Sequence, residues 1–368
     1  MDSPLSRELS PFDPKWSVPQ LQEHLALALR GDGPALSTLP IDEKFVSPRI
    51  ALVVRTSGST GNPKSVALTS SALLSNVRAT HKFLGAKPGE RWSLLLPTSH
   101  IAGLNVLMRS LELGTPCVGV TETADYTAVV PTQLFRALHG DNQLLTHLQG
   151  CKAVLVGGGA LDDSLRNLAV EKNINVIESY GMTESCGGVI YDGTPLQGVE
   201  VAIIDERIAL KGAQIQPDYL GSEIDLRNGW FITNDRGQIN NGQIEIFGRA
   251  DDQIISGGEK ISLSAVESFL RHKFPTVELV AFAKSDKEWG EKLCLASTAP
   301  LDIDDISHSL IEEFGRHARP QELITLSAIP YLSIGKPDRR KLAHDNSDRK
   351  STRLHSSHVS ESRMPSSA

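Results

Sequence analysis

Strand-like apolar runs alternate with helical segments between residues 50 and 185, and this alternation restricts the fold more than any other feature. The strand-like runs are RIALVVRTS, VALT, RWSLLLP, PCVGV, CKAVLVGGGA and INVIESYGMTES. The helical ones are TSSALLSNVRATHKFLG, GLNVLMRSLELG, TQLFRALHGDNQLLTHL and LDDSLRNLAVEKN. This order predicts an α/β fold with a largely parallel sheet covered by helices. Ligands bind at the carboxyl ends of such strands, where the polar loops 56–64, 157–160 and 180–185 are expected.

Helix ends are readable at two places. Ser17, with Pro19 in the first turn, predicts the start of an amphipathic helix over 17–30. Thr69 is a suitable N-cap for the helix after VALT, and Gly85 is a suitable stop.

The pattern changes after residue 195. Short alternating runs up to residue 249 predict a small antiparallel, barrel-like subdomain. Residues 252–342 carry strands and two helices, 264–273 and 304–315, enough for a small α+β domain. We therefore predict a large N-terminal domain, 1–249, and a small C-terminal domain, 250–345.

The segment 346–368 is rich in Ser, Arg and His and has few large apolar residues, so it is expected to be disordered. It resembles the translation of a ligated sequencing adapter. A natural disordered tail is the alternative.

Composition narrows the function. A formal net charge of −7 argues against broad nucleic-acid binding. The start of the chain lacks the apolar region of a signal peptide, and no apolar run is long enough to span a membrane. The four cysteines show neither zinc nor C-x-x-C spacing, which favours free thiols in the cytoplasm. The oligomeric state stays open, and a homo-oligomer is compatible with the sequence.

RTSGSTGNPKSVALT, residues 55–69, has the composition of a phosphate-binding loop. Hydroxyl groups can donate to phosphate oxygens, and glycines allow the backbone N–H groups to approach. The loop is not a Walker A motif, because Lys64 follows Pro63 rather than a glycine. Taken alone, it is equally compatible with a flexible surface turn.

Five further motifs follow in order: GGGA, SYGMTES, GWFITND, GRADDQIISGGEKIS and PYLSIGKPDRRKL. Together with TSGSTGNPK, they resemble the adenylate-forming superfamily of acyl- and aryl-CoA synthetases, luciferases and peptide-synthetase adenylation domains, over about residues 50–342. The resemblance implies that a carboxylate attacks the α-phosphorus of ATP, giving an acyl-adenylate and pyrophosphate. CoA, as co-substrate, then displaces AMP. Preplaced donors, a cation and Mg²⁺ would stabilise the developing charge.

The resemblance also implies a role for each matched position. The phosphates are assigned to Thr56, Ser57, Gly58, Ser59, Thr60, Gly61 and Lys64, with Thr183. The adenine slot is assigned to Gly158, Gly159, Ala160, Ser179 and Tyr180, and the ribose to Asp235 and Arg249. Glu184 would hold Mg²⁺. The family usually has a glycine immediately before the aspartate that corresponds to Asp235. This chain has Asn234 there, and asparagine tolerates a positive φ better than most residues.

The remaining matches concern the small domain. Lys336 would bridge the substrate carboxylate, a ribose oxygen and phosphate during adenylation. Asp251 corresponds to the hinge between the domains, and Gly257, Gly258 and Lys260 to the segment that faces CoA.

PTSHIAGLNVLMRSLELGTP resembles the o-succinylbenzoate–CoA ligases of menaquinone synthesis. In those enzymes a His precedes GL, and an Arg nine residues later binds the second substrate carboxylate; here these are His100 and Arg109. Arg offers a bidentate fork for such a carboxylate. Gly181 would also line the substrate site, whereas Gly188 replaces a more polar residue common in these ligases.

Alternatives stay open at these positions. Arg109 could be a charge on the helix surface, and His100 a capping or packing residue. The chain could instead be another aryl- or fatty-acyl-CoA synthetase, or a non-catalytic nucleotide-binding relative. The last is disfavoured because Lys336, Glu184, Asp235 and Arg249 are all present.

Overall fold

The computed structural model describes residues 6–56, 64–216, 218–220, 224, 226–250, 252–256, 258–286, 290–332, 337–344 and 350–353. It divides into two compact units, Met1–Asp251 with Tyr331–Lys336, and Asp252–Pro330 with Pro337–Ala368. The fold is of the mixed α/β type that the sequence predicts.

The first sheet contains the two strands on either side of residues 57–63. In chain order its region comprises β1 (Arg7–Pro11), α1 (Val18–Arg30), β2 (Ala35–Ser37), β3 (Phe45–Val46), β4 (Ile50–Thr56), β5 (Lys64–Thr69) and α2 (Ser70–Leu84). Strands β1, β2 and β4 are parallel, whereas β4 and β5 form an antiparallel pair. The N-caps of α1 and α2 are Ser17 and Thr69, and Gly85 ends α2 in the left-handed conformation, so these predictions are confirmed.

The second sheet is built mainly of parallel strands. Its region comprises β6 (Trp92–Ser93), α3 (Ile101–Leu113), β7 (Tyr126–Val129), α4 (Pro131–Leu138), α5 (Asn142–Gly150), β8 (Ala153–Gly157), α6 (Asp163–Glu171), β9 (Val176–Met182), β10 (Gly187–Tyr191) and β11 (Thr194–Pro195). Strands β6 to β9 pair in parallel, and β10 turns back antiparallel to β9.

The stretch TQLFRALHGDNQLLTHL is helical, as predicted, and is divided into α4 and α5, since Asp141 caps a new helix by accepting the N–H of Leu144. Two local expectations in this region were wrong. PCVGV forms only a single bridge, between Ser93 and Val118, beside the two-residue strand β6. Strand β9 continues through Tyr180 to Met182, so the polar turn begins at Thr183 rather than at residue 180.

The stretch 195–249 forms antiparallel strands, as predicted. They are β12 (Val199–Ile204), β13 (Arg207–Gly212), β14 (Asp218–Tyr219), β15 (Leu226–Arg227), β16 (Trp230–Asn240) and β17 (Gln243–Arg249). Five of them make a third sheet, in which β16 lies between β13 and β17. The exception is β14, which pairs with β5 at the edge of the first sheet. Because β14 pairs with β5, Tyr219 lies beside the strand that follows the predicted phosphate loop.

The second unit is an α+β structure. It comprises β18 (Gln253–Ser256), β19 (Glu259–Ser262), α7 (Leu263–Lys273), β20 (Leu279–Asp286), β21 (Gly290–Ser297), α8 (Ile303–Phe314), β22 (Glu322–Thr325), α9 (Arg339–His344) and β23 (Lys350–Arg353). Helices α7 and α8 confirm the two predicted there. The guanidinium of Arg339 links α7, β20 and the residue before β18, through Glu267 at 2.8 Å, the carbonyl of Ala281 at 2.8 Å and Asp252 at 3.1 Å.

Strand β23 departs from the expected disorder of 346–368, because it pairs antiparallel with β22. Pairing at a strand edge uses backbone groups and needs no apolar side chains. The residues on either side of β23, 345–349 and 354–368, lie outside the described part of the chain.

Helices α1, α2 and α3 bury leucines and valines against β4 and β5, which fixes the frame of the first unit. None of the helices in the described ranges combines the length and apolar character needed to cross a membrane.

Candidate active site

The frame of the phosphate loop is formed by β4 and β5. Thr56 pairs with Lys64 across the two strands, and its hydroxyl donates to the carbonyl of Lys64 at 3.3 Å. The ends of the loop are therefore held together. Ser57, Gly58, Ser59, Thr60 and Gly61 lie outside the described residues, so their role stays a prediction.

Two motifs distant in sequence meet beside this frame. Thr183 and Glu184 lie in the 3₁₀ turn Thr183–Ser185, which directly follows β9. Tyr219 donates from its hydroxyl to Oε1 of Glu184 at 2.8 Å, and Nζ of Lys64 lies 4.8 Å from the centroid of the Tyr219 ring. Burial and the Glu184 carboxylate raise the pKa of Tyr219, so its hydroxyl remains a donor at neutral pH. The structure thus joins Lys64 and Glu184 through a tyrosine that the motifs did not identify.

The donor set at Glu184 fits Mg²⁺ delivered with a nucleotide. Mg²⁺ commonly takes one or two carboxylates together with waters and substrate phosphates. One oxygen of Glu184 accepts from Tyr219, and a carboxylate retains further lone pairs for a cation. Over the described ranges, no three His, Cys, Asp or Glu side chains cluster as a metal site of their own. A single carboxylate beside a phosphate loop is consistent with this mode of binding.

The residues assigned to adenine lie at the ends of two adjacent parallel strands. Gly157 at the end of β8 pairs with Ser179 on β9, so Gly158, Gly159 and Ala160 leave the sheet beside Ser179 and Tyr180. A Cβ on Gly157 would lie 2.7 Å from the carbonyl oxygen of Ser179, which shows how closely the two strands approach. The structure therefore brings these residues together, and their role in binding adenine stays a prediction.

The ribose residues lie next to this group. Tyr180 donates to Oδ2 of Asp235 at 2.7 Å, and Asp235 pairs in register with Arg249 across β16 and β17. Nη1 of Arg249 is 3.9 Å from Oδ1 of Asp235. Burial, followed by the Asp235 carboxylate, raises the pKa of Tyr180. Asn234 lies within β16 and is not among the residues with positive φ, so its replacement of the family glycine causes no backbone strain.

Arg109 lies inside the first unit and not on the surface of its helix. Its side chain is on α3 and is only 3% exposed, and its guanidinium stacks 4.9 Å from the Trp92 ring centroid. Nη2 donates to the hydroxyl groups of Tyr191 at 3.2 Å and Thr80 at 3.4 Å. Within the described residues, Nε has no hydrogen-bond partner and no carboxylate pairs with the guanidinium. Burial lowers the pKa of Arg109.

His81 also lies close to Trp92, with ring centroids 6.2 Å apart. It is 7% exposed, and its Nε2 has no hydrogen-bond partner among the described residues. Burial, together with the Arg109 charge, lowers the pKa of His81 to about 4. The imidazole is therefore neutral at physiological pH.

The β9–β10 hairpin passes close to α3. A Cβ on Gly181 would lie 1.9 Å from the carbonyl oxygen of Gly187, and one on Gly188 would lie 2.2 Å from Oγ of Ser179. Asn105 on α3 donates to the carbonyl of Cys186 at 2.9 Å, which ties the helix to the hairpin. The polar residue common at position 188 in the resembling ligases thus has no room here unless Ser179 and the Tyr191 ring both move.

His100 is at the N-cap position of α3 but makes no side-chain capping bond, so the capping alternative is not supported. Burial lowers its pKa. In the second unit, Gly258 has a φ of +88° and Lys260 is exposed on β19. Lys336, Asp251 and Gly257 lie outside the described residues, and their roles remain predictions.

Sequence reasoning missed Tyr219, Tyr191, Trp92 and His81. Their contacts join residues far apart in the chain, and none belongs to a motif. The sequence held one usable signal, the small number of these residues: the chain has only five tyrosines and four tryptophans. A buried Tyr or Trp usually has a hydrogen-bond partner for its polar end, so each of these few residues was a candidate for a contact within the site.

Comparisons with known proteins agree with this geometry. Residues 7–212 match the AMP-binding enzyme family. A "Probable 2-succinylbenzoate--CoA ligase" of Mycobacterium tuberculosis is 32% identical over 365 residues, covering 88% of this chain and 94% of the relative. The 2-succinylbenzoate--CoA ligase of Escherichia coli K12 is 29% identical, covering 86% of this chain and 77% of that protein. A variant of E. coli MenE with bound OSB-AMS superposes with a TM-score of 0.71 at 26% identity, covering 90% of this chain and 80% of that one.

Proposed function

The chain belongs to the AMP-binding enzyme family, and we propose on that basis that it is an AMP-forming acid–CoA ligase acting on o-succinylbenzoate. Its product would be o-succinylbenzoyl-CoA, an intermediate of menaquinone synthesis. The relatives carrying this activity in their names match nearly the whole chain.

One observation supports this substrate beyond the relatives: Arg109 is a buried guanidinium without a carboxylate partner in the described chain. A buried charge is unfavourable unless it is paired. o-Succinylbenzoate has two carboxylates, of which one reacts and the other needs a counter-charge. A fatty-acyl substrate would leave Arg109 unpaired.

The reaction proceeds in two halves. In the first, a carboxylate oxygen of the substrate bonds to the α-phosphorus of ATP, and the bond from that phosphorus to the bridging oxygen breaks, releasing pyrophosphate. In the second, the sulfur of the CoA thiol bonds to the acyl carbon, the bond from that carbon to the phosphate oxygen of AMP breaks, and AMP leaves while the thiol proton passes to solvent. Mg²⁺ bound with ATP supplies charge neutralisation at the phosphates.

The chain's own residues position the reactants. Tyr180 and the 158–160 turn would receive adenine, while Asp235 and Arg249 would hold the ribose hydroxyls. Lys64 and Thr183 would contact phosphate, and Glu184 would hold Mg²⁺. By the same resemblance, Lys336 would stabilise charge during adenylation, and Gly258 and Lys260 would face CoA. Each assignment is a proposal.

We further propose that the enzyme works in the cytoplasm, because Cys117, Cys151 and Cys186 are free thiols. Its small-molecule partners would be the carboxylate, ATP and CoA. Whether it forms a homo-oligomer is answered by measuring its mass in solution.

A substrate panel tests the proposal. Carboxylate-dependent exchange of pyrophosphate into ATP is measured with o-succinylbenzoate, benzoate and a fatty acid, followed by CoA-dependent release of AMP. We expect exchange and AMP release with o-succinylbenzoate. Exchange with only the other acids would refute the substrate, and no exchange with any acid would favour a non-catalytic relative.

A further inference from the structure

Tyr219 joins two residues that the family motifs place at the phosphates of ATP. Its hydroxyl donates to Oε1 of Glu184 at 2.8 Å, and its ring lies under the ammonium group of Lys64, 4.8 Å from the centroid. No motif in the sequence singled out Tyr219.

The backbone fixes the position of this tyrosine. Tyr219 pairs with Val66 where β14 joins β5, and the N–H of Leu220 donates to the carbonyl of Ser65 at 3.0 Å. The ring is half-buried and packs against the core formed by α1, α2, α3 and the central strands of the first sheet. Tyr219 is therefore held by the strand that leaves the phosphate loop, while its hydroxyl reaches the turn after β9.

A carboxylate that ligates a metal through one oxygen can rotate unless its other oxygen is held. Hydrogen bonds from neighbouring groups commonly provide this restraint, and removing one costs roughly 10–100-fold in metal affinity or activity. The Tyr219 hydroxyl supplies such a hydrogen bond to one oxygen of Glu184. The ring adds a cation–π contact that restrains the Lys64 ammonium.

We propose that Tyr219 is a positioning residue for Mg²⁺·ATP: its hydroxyl fixes Oε1 of Glu184, leaving the second carboxylate oxygen for Mg²⁺, and its ring orients Lys64 towards phosphate. This inference rests on the proposed role of Glu184 as the Mg²⁺ ligand.

Binding of ATP, without any carboxylate or CoA, provides the test. Calorimetry gives the ATP affinity as a function of Mg²⁺ concentration and also in EDTA. Tyr219→Phe removes the hydroxyl but keeps the ring. We expect the Mg²⁺ concentration for half-maximal enhancement of ATP binding to rise about 10-fold or more, with ATP affinity in EDTA unchanged. Tyr219→Leu removes the ring as well and should also weaken ATP binding in EDTA.

Two controls sharpen the result. Tyr126 donates to Oε2 of Glu90, also at 2.8 Å, and lies on β7 outside this group of residues, so Tyr126→Phe should leave the Mg²⁺ dependence unchanged. In a Glu184→Gln background, Tyr219→Phe should have no further effect on the Mg²⁺ dependence, because the two residues act through one contact. A normal Mg²⁺ dependence in Tyr219→Phe, or an equal loss of ATP affinity with and without Mg²⁺, would overturn the inference. Failure of the substrate panel would leave this binding test unaffected, so the two proposals can fail separately.

Discussion

Arg109 shows what a single residue can reveal about a ligand. Its guanidinium is surrounded by Trp92, Tyr191 and Thr80, which supply a stacking face and two neutral hydroxyl acceptors. Neutral acceptors compensate a buried charge less well than a carboxylate does. The arrangement holds Arg109 in one orientation, and under the proposed function the second carboxylate of the substrate would neutralise its charge.

Arg109→Leu separates binding of the substrate from folding. We expect KM for o-succinylbenzoate to rise on the order of 10–100-fold, the scale of a lost charge-assisted hydrogen bond, while ATP affinity stays the same. Since the change also removes a buried unpaired charge, the melting temperature should not fall. The matched control is Arg78→Leu, because Arg78 is an exposed arginine paired with Glu112. Steady-state kinetics with an unchanged KM for the acid would contradict the assignment.

His81 predicts a pH dependence of stability. Its pKa is lowered from 6.5 in the unfolded chain to about 4 in the fold. The unfolded chain therefore binds the proton first, and the stabilisation present above about pH 6.5 is lost as the pH falls towards 4. Urea unfolding between pH 7 and pH 5 should show this loss in the parent protein and a smaller one in His81→Leu. The same loss of unfolding free energy between pH 7 and pH 5 in both proteins would count against a buried neutral imidazole.

At the scale of elements, the β9–β10 hairpin places Tyr180, Gly181, Glu184 and Gly188 in one short segment. It is held to α3 through Asn105 and to α2 through Asn76, whose amide donates to the carbonyl of Gly188 at 2.8 Å. Both helices therefore determine where the turn with Thr183 and Glu184 lies.

Gly181→Ala tests this packing. The added Cβ would lie 1.9 Å from a backbone oxygen, so the hairpin has to move. We expect a loss of about 1–3 kcal/mol in the free energy of unfolding and a clear fall in adenylation. Gly150→Ala is the control, because a Cβ there meets nothing within 4 Å. Denaturant unfolding measures the free energy of unfolding, and pyrophosphate exchange measures adenylation. A Gly181→Ala variant as stable and active as the parent would show that the close approach of Gly181 to the carbonyl of Gly187 is unimportant.

Elements were readable from the sequence where their signals are local. The caps of α1 and α2 depend on residues within a turn, and Ser17, Thr69 and Gly85 identified them. PCVGV was wrongly predicted as a strand, because a strand forms only where a neighbouring strand pairs with it. Its neighbour β6 has only two residues, and nothing in the sequence near residue 118 indicates that length. The partner of β14 was equally unreadable, since β14 leaves the β-rich stretch to pair with β5.

At the scale of the whole molecule, the two half-reactions are predicted to use different parts of the chain. Lys336→Ala should lower adenylation by at least about 10²–10³-fold, the effect of losing one preorganised donor. Thioester formation from a supplied acyl-adenylate should be nearly normal, because attack of the carboxylate on the α-phosphorus, the step assigned to Lys336, is already complete in that compound. Rapid-quench assays of each half-reaction measure this, and equal losses in both would refute the role assigned to Lys336.

The motifs predicted which residues belong to the site, but not the side chains that connect them. Tyr180 contacts Asp235 across 55 positions, Tyr219 contacts Glu184 across 35, and Arg109 contacts Tyr191 across 82. Contacts between residues so far apart in the chain depend on how the sheets and helices assemble. The assigned residues, Tyr180 among them, came from a resemblance, whereas Tyr191 and Tyr219 could be identified only from the fold.

The guanidinium of Arg339 has a consequence for how this sequence can diverge. It is shared between Asp252 and Glu267, which come from separate parts of the second unit. Loss of Arg339 would remove the cation that both carboxylates share in a partly buried setting, whereas loss of one carboxylate leaves Arg339 paired with the other. A change at position 339 is therefore expected to be accepted only alongside compensating changes at positions 252 and 267.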